Sequence, residues 1–168
     1  MNQIETKFAY TEVKTTEDVE KLITFFLSGK AFDAVLTPGE REQIYREPFM
    51  SLRSRDIKYW YSSNKKGDII AAIGVKETEH KTSGYCISFI AVDESYRHHG
   101  IGKSLIAIAV EFVKSNEGRF LIVDTSDKPE YIAMRNLLVK MGFTLVGNFP
   151  EYYHKGESTL WYYIRTEE

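Results

Sequence analysis

The chain has 168 residues, 43% hydrophobic and 14% aromatic, which suits a single domain over 1–168 with a substantial core. Its net charge of -2 excludes a global basic field for nucleic acid or an anionic membrane. The lone cysteine, Cys86, excludes an intrachain disulfide, and no apolar run is long enough to span a bilayer. The first residues, Met1-Asn2-Gln3-Ile4-Glu5, lack a basic segment followed by an apolar one. No signal peptide is read there, and the cytoplasm is the expected compartment.

Phe8 to Val13 alternates as a strand does. Thr15 and Thr16 followed by Glu17 and Asp18 open a helix, on which Val19, Leu22, Ile23, Phe26 and Leu27 recur at helical spacing. Thr37-Pro38-Gly39-Glu40 opens a second helix, with Thr37 as cap and Glu40 closing a capping box. Phe25, Phe26, Phe32, Tyr45 and Phe49 are expected mostly in the core. Ile57–Ser62 and Ile69–Val75 read as a hairpin around Asn64-Lys65-Lys66-Gly67. Tyr85–Val92 is a buried strand, Ile101–Val113 a helix, and Phe120–Val123 another buried strand. Asp127 caps the next helix, with Pro129 just inside, and Gly142 stops it. Phe143–Val146 and Thr159–Ile164 close the chain as strands. The order is β-α-α-β-β-β-α-β-α-β-β, with one βαβ crossover that makes its two strands parallel. The fold class is α/β (α+β): a mixed, mostly antiparallel central sheet with helices on both faces.

The segment Arg97-His98-His99-Gly100-Ile101-Gly102 lies between the strand ending at Val92 and the following helix. Glycines there let backbone approach a ligand, and the unpaired amides of a first helical turn attract anions. Gly102-Lys103-Ser104 matches the end of a nucleotide P-loop, but Arg97 stands where that motif needs glycine. A dinucleotide fingerprint needs a third glycine where Leu105 stands. Adjacent His98 and His99 have no partner at ligand spacing, so no metal site is expected.

Arg-x-x-Gly-x-Gly after Ile90-Ala91-Val92 resembles the coenzyme A pyrophosphate loop of the GNAT acetyltransferase superfamily. Lys140-Met141-Gly142-Phe143 resembles its second signature, and the element order agrees. The resemblance extends specifically over 85–165 and implies an acetyl-CoA-dependent N-acetyltransferase acting on a primary amine. It implies that amides of His99 to Lys103 hold the pyrophosphate, with Arg97, His98, Lys103 and Ser104 nearby. The backbone of Ile90, Ala91 and Val92 would pair with the pantetheine arm, and an amide near Ala91 or Val92 would face the thioester oxygen. Dimers are frequent in the superfamily, so a homodimer is one expected assembly.

The amine must lose a proton and the thiolate gains from a donor. The sequence departs from the family pattern at Leu138, where a donor tyrosine is usual, and at Tyr131, where asparagine is common. Tyr131, Tyr152 and Tyr153 are the candidate substitutes. Glu151, Glu77, Glu79 and Asp124 are candidate bases, Glu151 foremost. A non-catalytic domain that binds and senses acyl-CoA is the rival reading. A transferase for longer acyl chains or O-acceptors is the third.

Overall fold

Capping chemistry fixes both early helices. Thr15 accepts from the Asp18 amide while Asp18 Oδ2 accepts from the Thr15 amide, and Thr37 and Glu40 repeat the exchange. The computed structural model describes residues 8–167, so the reading of Met1–Glu5 lies outside it. The elements are β1 (Thr11–Glu12), α1 (Thr16–Phe26), α2 (Pro38–Ser51), β2 (Ile57–Ser63), β3 (Ile69–Glu77) and β4 (Gly84–Val92). They continue with α3 (Ile101–Ser115), β5 (Phe120–Ser126), α4 (Ile132–Lys140), β6 (Thr144–His154) and β7 (Glu157–Arg165). The order of strands and helices is the expected one.

The strands form one seven-stranded sheet, β1-β2-β3-β4-β5-β7-β6, antiparallel except where β4 meets β5. One core lies under α1 and α2, built from Val19, Leu22, Phe26, Ile44, Tyr59 and Phe89. The other lies under α3 and α4, built from Leu105, Ile106, Ala109, Leu121 and Leu138. Helices therefore cover both faces. Tyr59 and Tyr61 join the first core while Trp60, between them, faces Phe112 of α3. Gly74 permits this packing, since a Cβ there would meet the Tyr59 ring at 2.2 Å. No helix of the described residues is long and apolar enough to cross a membrane.

Four readings need correction. The first strand keeps only Thr11 and Glu12, paired with Tyr61 and Trp60, while Phe8 and Tyr10 pack on the core. Asp127 does not cap α4; its Oδ1 accepts from the Ser158 amide, and a 3-10 turn at Pro129–Tyr131 leads into the helix. Tyr45 and Phe49 are exposed, 56% and 41%, on the outer side of α2. The strand read as Phe143–Val146 runs on to His154 through Pro150, which an edge strand tolerates.

Candidate functional site

β4 and β5 pair at only three positions, Gly84 with Phe120, Tyr85 with Leu121 and Cys86 with Ile122. Beyond these the two strands part. β4 runs on to Val92 paired with β3 alone, and β5 runs on to Ser126 paired with β7 alone. A bulge at Ser88 accompanies the parting: Gly74 faces Phe89 while Val75 faces Ile87, so Ser88 is extra. The result is a wedge in the middle of the sheet. The backbone groups of Ile87–Val92 not used by β3 open onto it. An extended ligand can fill such a gap as an added strand.

The wide end of the wedge leads to the loop before α3. A 3-10 turn at Glu94–Tyr96 is pinned by Asp93, whose Oδ1 accepts from the Ser95 amide at 2.8 Å. His98 and Gly100 then adopt positive φ, 66° and 79°. A Cβ at Gly100 would meet nothing within 4 Å, so the backbone conformation alone asks for glycine there. The first helix bond into the loop is Ser104 N to Gly100 O. The amides of His98 to Lys103 make no hydrogen bond among the described residues. Alternating backbone hands with unpaired amides form an anion-binding concavity, and the dipole of α3 reinforces it. Lys103 is exposed beside it, as are His98 and His99. His99 Nδ1 turns back to the Arg97 carbonyl at 2.8 Å. Ile101 is buried in the core and anchors the helix start.

Arg97 lies differently from what its place in the motif suggests. Its Nε donates to Val92 O at 3.0 Å and its Nη1 to Asp33 Oδ1 at 2.6 Å. The guanidinium is directed at the α1–α2 connection.

On the α1–α2 side of the sheet, Asp124 stands two residues beyond the last β4–β5 pair. Its Oδ2 accepts from Tyr153 Oη at 2.6 Å, and Thr159 Oγ1 lies 3.1 Å from the same hydroxyl. Burial and then the Asp124 charge hold the Tyr153 phenol far above its ordinary pKa. Trp161 pairs with Asp124 across β5 and β7, and its indole Nε1 is buried without a partner among the described residues. Tyr131, ahead of α4, is pushed up to about 12 by burial first and then by Glu40 and Asp33. These carboxylates belong to α2 and the α1–α2 connection, which therefore lie within electrostatic reach of Tyr131. Glu151, two residues before Tyr153, is exposed, with φ of 54°, and its Oε1 accepts from the Gly156 amide in the β6–β7 turn. Glu77 accepts from the Ser83 amide at 2.9 Å, and Glu79 is exposed. Leu138 is fully buried in the core under α3 and α4 and turns no atom to the wedge.

Sequence reasoning did not find a buried polar cluster behind the bulge. Glu47, 3% exposed, accepts from Lys76 Nζ at 2.5 Å, Gln43 Nε2 at 3.0 Å and Tyr59 Oη at 3.2 Å. Nothing in the run Arg46-Glu47-Pro48 sets this glutamate apart from a surface charge. Among the described residues no group of His, Cys, Asp and Glu is arranged to hold a metal ion.

The solved structures that resemble the chain have one fold. An acetyltransferase assigned to the GNAT family, from Desulfovibrio desulfuricans, superposes with a TM-score of 0.82 at 20% identity, over 96% of this chain and all (100%) of that one. The ribosomal-protein-S18-alanine N-acetyltransferase of Escherichia coli gives 0.73 at 15% identity, over 95% of this chain and 96% of that one. A protein assigned as a streptothricin acetyltransferase, from Bacillus anthracis and in complex with acetyl coenzyme A, gives 0.60 at 23% identity. That match covers 68% of this chain and 65% of the other. No curated protein matches the chain in sequence. The model of the acetyltransferase (GNAT) family matches residues 25–143, from the end of α1 through the wedge, the amide loop and α4. This match spans well over half of the sequence, and the chain belongs to the acetyltransferase (GNAT) family.

Proposed function

We propose that the protein transfers an acetyl group from acetyl-CoA to a primary amine by direct attack of the amine on the thioester. The observation that carries this reading is that the wedge beside Ile87–Val92 opens directly onto the unpaired amides of His98 to Lys103. A strand-like arm ending in a pyrophosphate matches both parts at once. The Bacillus anthracis structure, with acetyl coenzyme A bound, and the Escherichia coli N-acetyltransferase support it.

In this reading the pantetheine arm lies along β4, and the pyrophosphate accepts from the loop amides with Lys103 beside it. An amide of Ala91 or Val92 donates to the thioester oxygen as negative charge develops there. The amine enters from the α1–α2 side, toward Asp124. Tyr153 occupies Asp124 Oδ2, which leaves Oδ1 to hold the incoming nitrogen. An ammonium, with a pKa of about 10.4, has no lone pair, so the amine first gives one proton to water and attacks in its neutral form. Once the bond to carbon forms, the nitrogen becomes strongly acidic and its second proton is ready to leave. The carbon–nitrogen bond forms, the carbon–sulfur bond breaks, and the nitrogen proton passes to Asp124 or through it to water. The sulfur leaves as thiolate. Moving a proton from Tyr131, at about 12, to a thiolate of ordinary pKa, about 8.5, climbs about 5 kcal/mol. Tyr131 thus serves as a hydrogen-bond donor to the sulfur, and solvent supplies the proton.

Thiol release from acetyl-CoA with a panel of primary amines tests the reading. Release that depends on one class of amine supports it. The buried Leu138 favours one other reading, a domain that binds acyl-CoA without turnover. Coenzyme binding with no release for any amine would establish that reading instead.

A further inference from the structure

We propose that Arg97 is a positioning residue, a strut that fixes the connection between α1 and α2 to the amide loop, and that it does not grip the coenzyme's phosphates. What each end of the strut borders, donor or acceptor, rests on the proposed function; the strut itself rests on geometry. Arg97 Nε donates to Val92 O at 3.0 Å, at the end of β4. Nη1 donates to Asp33 Oδ1 at 2.6 Å, and Nη2 reaches Ala31 O at 3.5 Å. Nearby, the Glu94 amide donates to Lys30 O at 3.2 Å. Residues 92, 94 and 97 on one side thus hold 30, 31 and 33 on the other.

The guanidinium is a rigid planar fork, so engaging these three acceptors fixes its direction. Turning it to a phosphate would break a short charge pair and two carbonyl bonds. The loop offers an anion unpaired amides and Lys103 without that loss. The held segment also packs on the core through Ala31 and through Phe32, whose ring lies 5.7 Å from Phe26 and 6.0 Å from Phe89. Beyond them Val35 is 87% exposed, and Phe26, Phe32, Asp33, Leu36 and Arg41 surround a hollow of about 330 Å³. Asp33 and Glu40 also lie within electrostatic reach of Tyr131. On the proposed function, the segment tied to the end of β4 borders the space the amine must cross. Cutting the strut loosens this segment and leaves the coenzyme cradle intact.

The test compares Arg97→Ala, Asp33→Asn and the double variant. Coenzyme affinity is read by calorimetry, acceptor KM and kcat by thiol release, and segment mobility by tryptic cleavage after Lys30 in the unliganded protein. A hydrogen bond to a charged group sets the scale at about tenfold. Both single variants should raise acceptor KM and the cleavage rate by about tenfold, with coenzyme affinity changed less than about threefold and kcat held. The double variant should match Arg97→Ala, because removing the guanidinium already removes the bond to Asp33. Arg97→Lys should rescue only in part, since an ammonium cannot reach all three acceptors. A loss of coenzyme affinity of tenfold or more in Arg97→Ala, with Asp33→Asn like wild type, would overturn the proposal. If the wild type turns over no amine, the proposed function fails, and cleavage after Lys30 still decides the strut: unchanged cleavage in both variants refutes it.

Discussion

Tyr153 Oη lies 2.6 Å from Asp124 Oδ2, joining the β6–β7 hairpin to the strand that forms one lip of the wedge. The bond is charge-assisted and partly buried, so it sets where the carboxylate points. Asp124→Asn should lower kcat/KM for the amine by about a hundredfold or more, within the range of general-base removal, with coenzyme affinity unchanged. Tyr153→Phe keeps the ring and removes the donor, and should cost about tenfold. The Tyr153 phenol is held far above its ordinary value, so it stays protonated across the assay range. The alkaline limb of the pH–rate profile should therefore have the same shape in Tyr153→Phe as in wild type. An alkaline inflection present in wild type and lost in Tyr153→Phe would assign that titration to Tyr153.

The parts of this site differ in how openly the sequence carries them. Thr15, Thr37 and Gly100 act on neighbours within a few residues, so their roles follow from short spacings. The pair Asp124 and Tyr153 is 29 residues apart and meets only because β6 continues past Pro150. Proline argues against a central strand, and the edge position that excuses it is a property of the whole sheet. Arg97 was legible as a motif residue but not in its direction, which depends on Asp33, 64 residues away. The bulge at Ser88 leaves no mark in the alternation of Ile87 to Val92, because both faces of that strand are buried against helices.

Glu47 ties α2 to β2 and β3 directly behind that bulge. Burial alone would raise its carboxyl, but the bonds from Lys76 and Gln43 outweigh it and hold the pKa below the usual carboxylate value. A lowered folded pKa adds stability above the unfolded value, about 4.3, that is lost as pH falls through the folded one. Wild-type protein should thus lose stability on acidification below that range, and Glu47→Gln should lose less over the same interval. Glu47→Ala leaves Tyr59 and Lys76 without their acceptor and should cost about 3 kcal/mol in denaturant unfolding. A cost under about 0.5 kcal/mol would place the cluster among ordinary surface contacts.

Gly100 offers a test of the cradle that separates backbone shape from space. A side chain there meets nothing, so Gly100→Ala should cost stability only through its left-handed φ, about 1 kcal/mol. Relaxing that φ would turn the His99 to Gly102 amides out of register. Coenzyme affinity should then fall by about tenfold, comparable to losing one charge-assisted bond. Equal affinity in Gly100→Ala would remove the loop amides as the phosphate site.

Cys86 sits at the closed end of the wedge, the last residue of β4 to pair with β5. A covalent route would pass the acetyl group to this thiol before the amine. Burial pushes the thiol up to about 11. At pH 8 the thiolate fraction is then about one in a thousand, against about one in four for an ordinary thiol. Alkylation of native Cys86 should accordingly be slower than in the unfolded chain by about a hundredfold or more. Cys86→Ala should hold kcat within about twofold, as direct attack on the thioester requires, whereas a nucleophile's removal costs orders of magnitude. Mixing enzyme with acetyl-CoA alone should release no stoichiometric burst of thiol. A burst lost in Cys86→Ala would replace direct attack with an acetyl-enzyme.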